Sequence, residues 1–156
     1  MTKNKKELQV AALCNGTVID HIPSHVVFKC VKILGIENLT SAVTIGNNLD
    51  SGKLGRKGII KIADVTLPET VINRIALLAP SAVINIIKNY EVVEKYPVEL
   101  HDVVRDIVKC DNPKCITNNE PMTTVFETVD HKPGYIRCRY CNHTVANAKA
   151  NIAGHN

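Results

Sequence analysis

The chain has 156 residues, 45% of them hydrophobic, and a mean hydropathy of −0.01, which suits one medium domain or two small ones. No charged n-region followed by an apolar core opens it, and no apolar run is long enough to span a bilayer, so a cytoplasmic protein without a membrane partner is expected. The formal charge of +4 lies entirely in the first part: residues 1–96 carry twelve Lys or Arg against eight Asp or Glu, and residues 97–156 carry seven of each.

After a lysine-rich start (Lys3, Lys5, Lys6), Leu8 to Leu13 reads as a strand, Asn15-Gly16 as a turn and Thr17 to Ile22 as a second strand or a continuation, on their β-branched content. Pro23-Ser24 opens a helix to about Leu34, with Val26, Val27, Cys30, Val31 and Leu34 at three- and four-residue spacing and Gly35 as the stop. Cys30 is therefore core, and Cys14 reads as another buried strand residue. Ser41 to Ile45 predicts a strand, Gly46 to Gly58 a glycine-rich loop, and Ile59 to Val65 the next strand. A second helix starts at Pro68-Glu69, buries Val71, Ile72, Ile75, Leu78 and Ala79, and ends at Pro80. Ala82 to Ile87 and Tyr90 to Tyr96 follow as strands, the last at an edge. The order is that of an α+β fold, a ferredoxin-like βαββαβ sheet with helices on one face and the other face available. Pro97 to His101 reads as a linker and Asp102 to Val108 as a short helical or irregular lead into a small, mainly β domain, with strands near Thr123 to Val129 and Tyr135 to Cys138.

That second domain carries Cys110, Cys115, Cys138 and Cys141, two close pairs separated by 22 residues. In a reducing compartment such pairs point to zinc rather than to disulfides, because four thiolates match the tetrahedral preference of the ion. A segment of about fifty residues also lacks the core to fold comfortably without a staple, and structural zinc supplies roughly 10 kcal/mol. His131 and His143 are alternative ligands, but four cysteines leave no open position, which argues for a structural ion and against a small metalloenzyme.

Catalytic signatures are lacking. Five residues separate Gly46 from Gly52-Lys53, and Leu54 stands where a P-loop needs a hydroxyl; neither G-x-G-x-x-G after a strand nor H-E-x-x-H occurs. Lys61, set among isoleucines in Ile59-Ile-Lys-Ile62, and Lys95 stand out instead. Such lysines usually snorkel to solvent, but two on neighbouring strands could hold a polyphosphate, with Asp20 and His21 near a sugar or base. The competing reading is a zinc-ribbon nucleic-acid-binding protein gripping a backbone through Lys53, Arg56 and Lys57. Against it stand a neutral zinc segment, no Trp and only 4% aromatic residues, which leaves few stacking platforms.

The strings Gly16-Thr-Val-Ile-Asp-His-Ile-Pro23, Gly55-Arg-Lys-Gly58, Ile60-Lys-Ile62, Ala79-Pro80 and Asn89-Tyr-Glu-Val-Val93 resemble the regulatory chain of aspartate carbamoyltransferase, as do the C-x4-C and C-x-x-C pairs, from about Leu8 to Cys141. The resemblance implies a chain without catalysis of its own: a nucleotide-binding allosteric domain over residues 1–100 and a zinc domain over 101–156 that docks on the catalytic chain. It implies competition between CTP, an inhibitor, and ATP for one site, pairing of two N-terminal domains into a homodimer, with Ser41 to Ile45 a candidate contact, and one structural zinc per chain held by the four cysteines. Carried over position by position, it puts the nucleotide against Val10, Ala12, Leu13, Asp20, Ile59, Lys61, Asn85, Ile87, Tyr90, Val92 and Lys95. Lys61 next to Asp20 would then meet sugar and phosphate oxygens and Lys95 the triphosphate, with backbone groups near Leu13 and Tyr90 reading the base edge.

Overall fold

Alternating burial along the strands builds the first sheet. In the computed structural model, which describes residues 12–52, 55–129 and 134–152, β1 (Gly16–Pro23), β2 (Val43–Ser51), β3 (Gly55–Ala63), β4 (Val83–Lys88) and β5 (Glu91–Pro97) form one antiparallel sheet in the order β2-β3-β1-β4-β5. Ile60, Ile62, Ile19 and Ile84 are fully buried and share one face by register, as does Thr17, whose hydroxyl donates to the Val65 carbonyl at 2.6 Å. Against them pack α1 (Val27–Leu34), which buries Val27, Cys30 and Ile33, and α2 (Glu69–Leu78), which buries Ile75 through Leu78. Each such aliphatic side chain contributes about 1.5–3 kcal/mol by burial. The order strand, helix, strand, strand, helix, strand is the expected ferredoxin-like arrangement, with β5 added at the edge.

The helix boundaries follow the local chemistry. A turn of 3-10 helix (Ser24–Val26) leads into α1, and Gly35 closes it in the left-handed region (φ 62) with its N–H on the Lys32 carbonyl at 3.1 Å. Pro68 caps α2, which places Glu69 in its first turn, where a negative charge meets the positive end of the helix dipole.

Several expectations need correction. The segment Gly46 to Gly58 is not a loop: β2 runs on to Ser51 and β3 begins at Gly55, with Leu49, Asp50 and Ser51 paired to Lys57, Arg56 and Gly55. Asn47 and Asn48, which look like turn residues, form a β-bulge; Asn48 sits at φ 58 with its N–H on the Asn47 side chain at 2.9 Å. Most of the strand expected from Leu8 to Leu13 lies outside the described residues; Ala12 and Leu13 are irregular, and Cys14 is a half-buried bend residue rather than a buried strand residue.

The chain divides into two compact units, Met1–Val98 and Glu99–Asn156. In the second, β6 (Val103–Arg105) replaces the helical or irregular lead expected there. It pairs with β8 (Val125–Thr128), which pairs in turn with β9 (Tyr135–Cys138), and β9 with β10 (Thr144–Ala146). β7 (Val108–Lys109) pairs with β11 (Asn151–Ile152), and α3 (Ile116–Asn119) is a single turn after Cys115. The core is small: Val104, Val108, Val125, Phe126, Val129, Ile136 and Ile152, with three of the four cysteines also buried. Among the described residues no helix is long and apolar enough to cross a membrane.

Candidate functional site

The four cysteine sulfurs of the second unit lie within 4.8 Å of one another, the one grouping of metal-ligating side chains found among the described residues. Cys110 Sγ is 3.6 Å from Cys141 Sγ, and Cys115 Sγ is 3.7 Å from Cys138 Sγ. A tetrahedron of zinc–sulfur bonds of about 2.3 Å requires sulfur–sulfur edges of about 3.8 Å, so the donor set fits the ion. Without a cation the cluster is costly: burial pushes the Cys110 thiol up to about 12 and raises Cys138 as well. Cys141 is different; burial opposes its ionisation, but hydrogen bonds from Asn112, the His143 backbone and the neighbouring thiols outweigh it and hold it at about 7. Bound zinc keeps all four as thiolates in a closed structural site.

Two asparagines brace the longer knuckle, a feature that sequence reasoning missed. Asn118 Nδ2 donates to the carbonyls of Cys110 and Asn112, both at 2.8 Å, and Asn119 Nδ2 donates to those of Pro113 at 3.1 Å and Cys115 at 2.8 Å. The signal was present in the Asn-Asn pair just after Cys115, which reads as loop unless the ligand carbonyls are counted as acceptors needing partners. The shorter knuckle closes through Cys138 N–H on the His143 carbonyl and Asn142 N–H on the Cys138 carbonyl, both 2.9 Å, with Asn142 at φ 64. His143 is exposed and His131 lies outside the described residues.

On the first unit, the sheet face away from the helices collects most of the residues singled out in the sequence. Lys61 pairs with Val18, Val18 with Asn85 and Asn85 with Lys95, so these four form one row across β3, β1, β4 and β5. Three strand spacings separate the ends of that row, about 14 Å between the two lysine backbones. Lys57, Ile59 and Lys61 share the face by alternation with buried Gly58, Ile60 and Ile62. Ile87 pairs with Val92. Residues 92 and 95 of a regular strand point to opposite faces, but the register shift between Ile86 and Ile87 brings Val92 and Lys95 to the same one.

Asp20 follows on β1. Lys57 Nζ lies 2.8 Å from Asp20 Oδ1, so the carboxylate is engaged by Lys57. The same oxygen accepts the His21 N–H at 2.6 Å, with His21 at φ 57 in a β-bulge that inserts a residue opposite β3. Lys57 had a place only in the nucleic-acid reading; counting its alternation with Lys61 along β3 would have put it on the open face. Tyr90 lies in the β4–β5 turn, Ala12 and Leu13 in the segment entering β1, and Val10 outside the described residues.

An α+β sheet with a lysine-bearing face and a separate module with four converging thiols make a two-unit protein with a structural zinc site. Family models for the aspartate carbamoyltransferase regulatory chain match nearly the whole length, its allosteric domain over residues 8–99 and its metal-binding domain over residues 102–151. The aspartate carbamoyltransferase regulatory chain of Bacteroides fragilis is 58% identical over 141 residues, 90% of this chain and 92% of the relative. That of Phocaeicola vulgatus is 55% identical over 141 residues, covering 90% and 91%. The archaeal chain of Pyrococcus horikoshii is still 48% identical over 141 residues, covering 89% and 93%. The chain belongs to the family of aspartate carbamoyltransferase regulatory chains: it is an allosteric, non-catalytic subunit with a catalytic-chain partner and a structural zinc, and the nucleic-acid reading is not favoured.

Proposed function

We propose that the open sheet face of residues 1–100 binds CTP, the inhibitor, and ATP at one shared site, and that residues 101–156 carry the docking surface for the catalytic chain. The single observation behind the nucleotide reading is the row Lys61–Val18–Asn85–Lys95, which offers two cations and an amide across four strands. A ligand of sugar and phosphates laid along it meets Lys95 with its phosphates and Lys61 with sugar and phosphate oxygens, while Ile59, Ile87 and Val92 provide apolar contact. Asp20, held by Lys57, stands beside the sugar, and Ala12, Leu13 and Tyr90 form the base end.

For docking, Ile116, Met122 and Tyr140 remain 48%, 37% and 44% exposed around the zinc knuckles, and zinc holds that surface in shape. The dimer contact fits β2, an edge strand carrying Ile45 at 40% exposure. A four-thiolate site needs reduced cysteines, which supports the cytoplasm. A nucleotide changes the catalytic partner only by binding two states of the assembly unequally, and about 1–3 kcal/mol of coupling suffices.

The test is calorimetric titration of CTP and ATP into the zinc-loaded chain, beside a Lys61→Ala, Lys95→Ala double variant. Saturable, mutually competitive binding that the variant loses supports the site. A folded chain that binds neither nucleotide, or a variant that binds both as tightly as the parent, removes it.

A further inference from the structure

The irregular residues 12–15 are tied to two other parts of the sheet, and Asn15 makes most of the ties. Its carbonyl accepts the Asp64 N–H at 3.0 Å, just beyond β3. Its side-chain Oδ1 accepts the Asn89 N–H at 3.2 Å, and its Nδ2 donates to Cys14 Sγ at 3.4 Å. The Cys14 carbonyl accepts the Tyr90 N–H at 2.9 Å.

The turn held in this way is strained. Asn89 and Tyr90 both lie at positive φ, 51 and 67, the backbone of a tight hairpin turn in which the second position normally falls to glycine. A tyrosine resists that conformation, and the residue is 67% exposed, so burial offers it little compensation. The constraint comes from the two N–H bonds to Cys14 and Asn15. Backbone strain of this kind persists only where the surroundings over-determine it, and such positions gather at binding sites.

We infer that Asn15 is a positioning residue for recognition of the nucleotide base: it fixes the segment carrying Leu13 against the turn carrying Tyr90, so that the backbone groups on the two sides keep the spacing a flat base needs. The inference rests on the nucleotide reading above and adds a residue outside the set proposed there. Asn15 touches the phosphates of neither effector; its action is on the gap between two chain segments. The phosphate end, at Lys61 and Lys95, is paired through Val18 and Asn85 further along the strands, away from the residues that Asn15 bonds.

The experiment uses the full zinc-loaded chain, with Asn15→Ala and Asn15→Asp as variants; Asn15 is exposed, so neither change empties the core. Aspartate keeps the oxygen that accepts the Asn89 N–H, loses the donor toward Cys14 and adds a negative charge. Binding of CTP, ATP and inorganic tripolyphosphate is measured by calorimetry, and amide exchange is followed at Asn89 and Tyr90. In Asn15→Ala both nucleotides weaken about five- to tenfold, the loss of one hydrogen bond's contribution. The Asn89 and Tyr90 amides exchange faster by a similar factor, tripolyphosphate binding is unchanged, and Asn15→Asp recovers the slow exchange of the Asn89 amide. Unchanged nucleotide affinity in Asn15→Ala overturns the inference, as does a parallel loss of tripolyphosphate, which would mark a general disruption of the face. If the parent chain binds tripolyphosphate but neither nucleotide, the inference and the nucleotide reading fall together; if it binds both nucleotides and only the variant result is wrong, the inference falls alone.

Discussion

Replacing Asn118 by alanine tests how far the zinc centre depends on groups that never touch the ion. Asn118 donates through one amide nitrogen to the Cys110 and Asn112 carbonyls, both at 2.8 Å, and so fixes the entry of the knuckle on which two of the four sulfurs sit. A neutral hydrogen bond contributes about 1 kcal/mol net, so losing two costs about 2 kcal/mol. In a module whose folding and metal binding are one equilibrium, that cost falls on zinc affinity, about thirtyfold, within the range for groups that orient metal ligands. The assay is competition for zinc against a chromophoric chelator at fixed pH, with parent and Asn118→Ala side by side. Asn119→Ala serves as a companion, because its nitrogen braces Pro113 and Cys115 in the same manner. A dissociation constant within twofold of the parent for Asn118→Ala would show that the thiolates alone set the geometry.

Gly58→Ala should lower stability by about 1–3 kcal/mol, the range for overpacking a filled core, read as a drop in melting temperature. A Cβ there collides with Cγ2 of Val27, a fully buried and conformationally stiff side chain of α1. For pH, the hydrogen bond from Arg139 at 2.7 Å, with its charge and that of Arg137, holds the Glu127 carboxyl below its ordinary value of 4.5. Its folded-state pKa is depressed, so its contribution is complete above the unfolded value and is lost as pH falls through the folded one; acid melting of Glu127→Gln should therefore run closer to its own neutral-pH value than the parent does. Chelating the zinc should release the chain from its catalytic partner, seen by size-exclusion chromatography, and recovery of an intact complex without metal would refute the structural role proposed for the ion.

The helices and the order of strands were legible in the sequence because their cues are local: three- and four-residue spacing of apolar residues for α1, proline at the start of α2, glycine at the end of α1; the face was less exact, since Ile33 is buried where Val31 and Leu34 were expected and those two are only half-buried. The thiolate set was legible because ligand type and spacing suffice for it. The bulges were not. Asn47-Asn48 and the left-handed His21 carry residues that serve turns equally well, and only the paired strand decides between the two. Because a bulge changes which side chains share a face, the same limit hid the Asp20–Lys57 pair and the common face of Val92 and Lys95. Short strands such as β6 and β11, two or three residues each, have no periodicity to read at all.

The two units are stabilised by different means, and this bears on how a regulatory chain can work. The first has a helix-backed aliphatic core, with the proposed ligand face on the opposite side of the same sheet. The second has a handful of buried apolar residues and depends on zinc, with about 10 kcal/mol available from the metal. On the proposed division of roles, an effector bound to the first unit therefore has no need to contribute to the folding of the second. Whatever differential affinity it has for two states of the assembly is available for shifting between them. Four thiolates and two bracing asparagines constrain the knuckles of the second unit, the arrangement that the proposed passage of such a preference calls for.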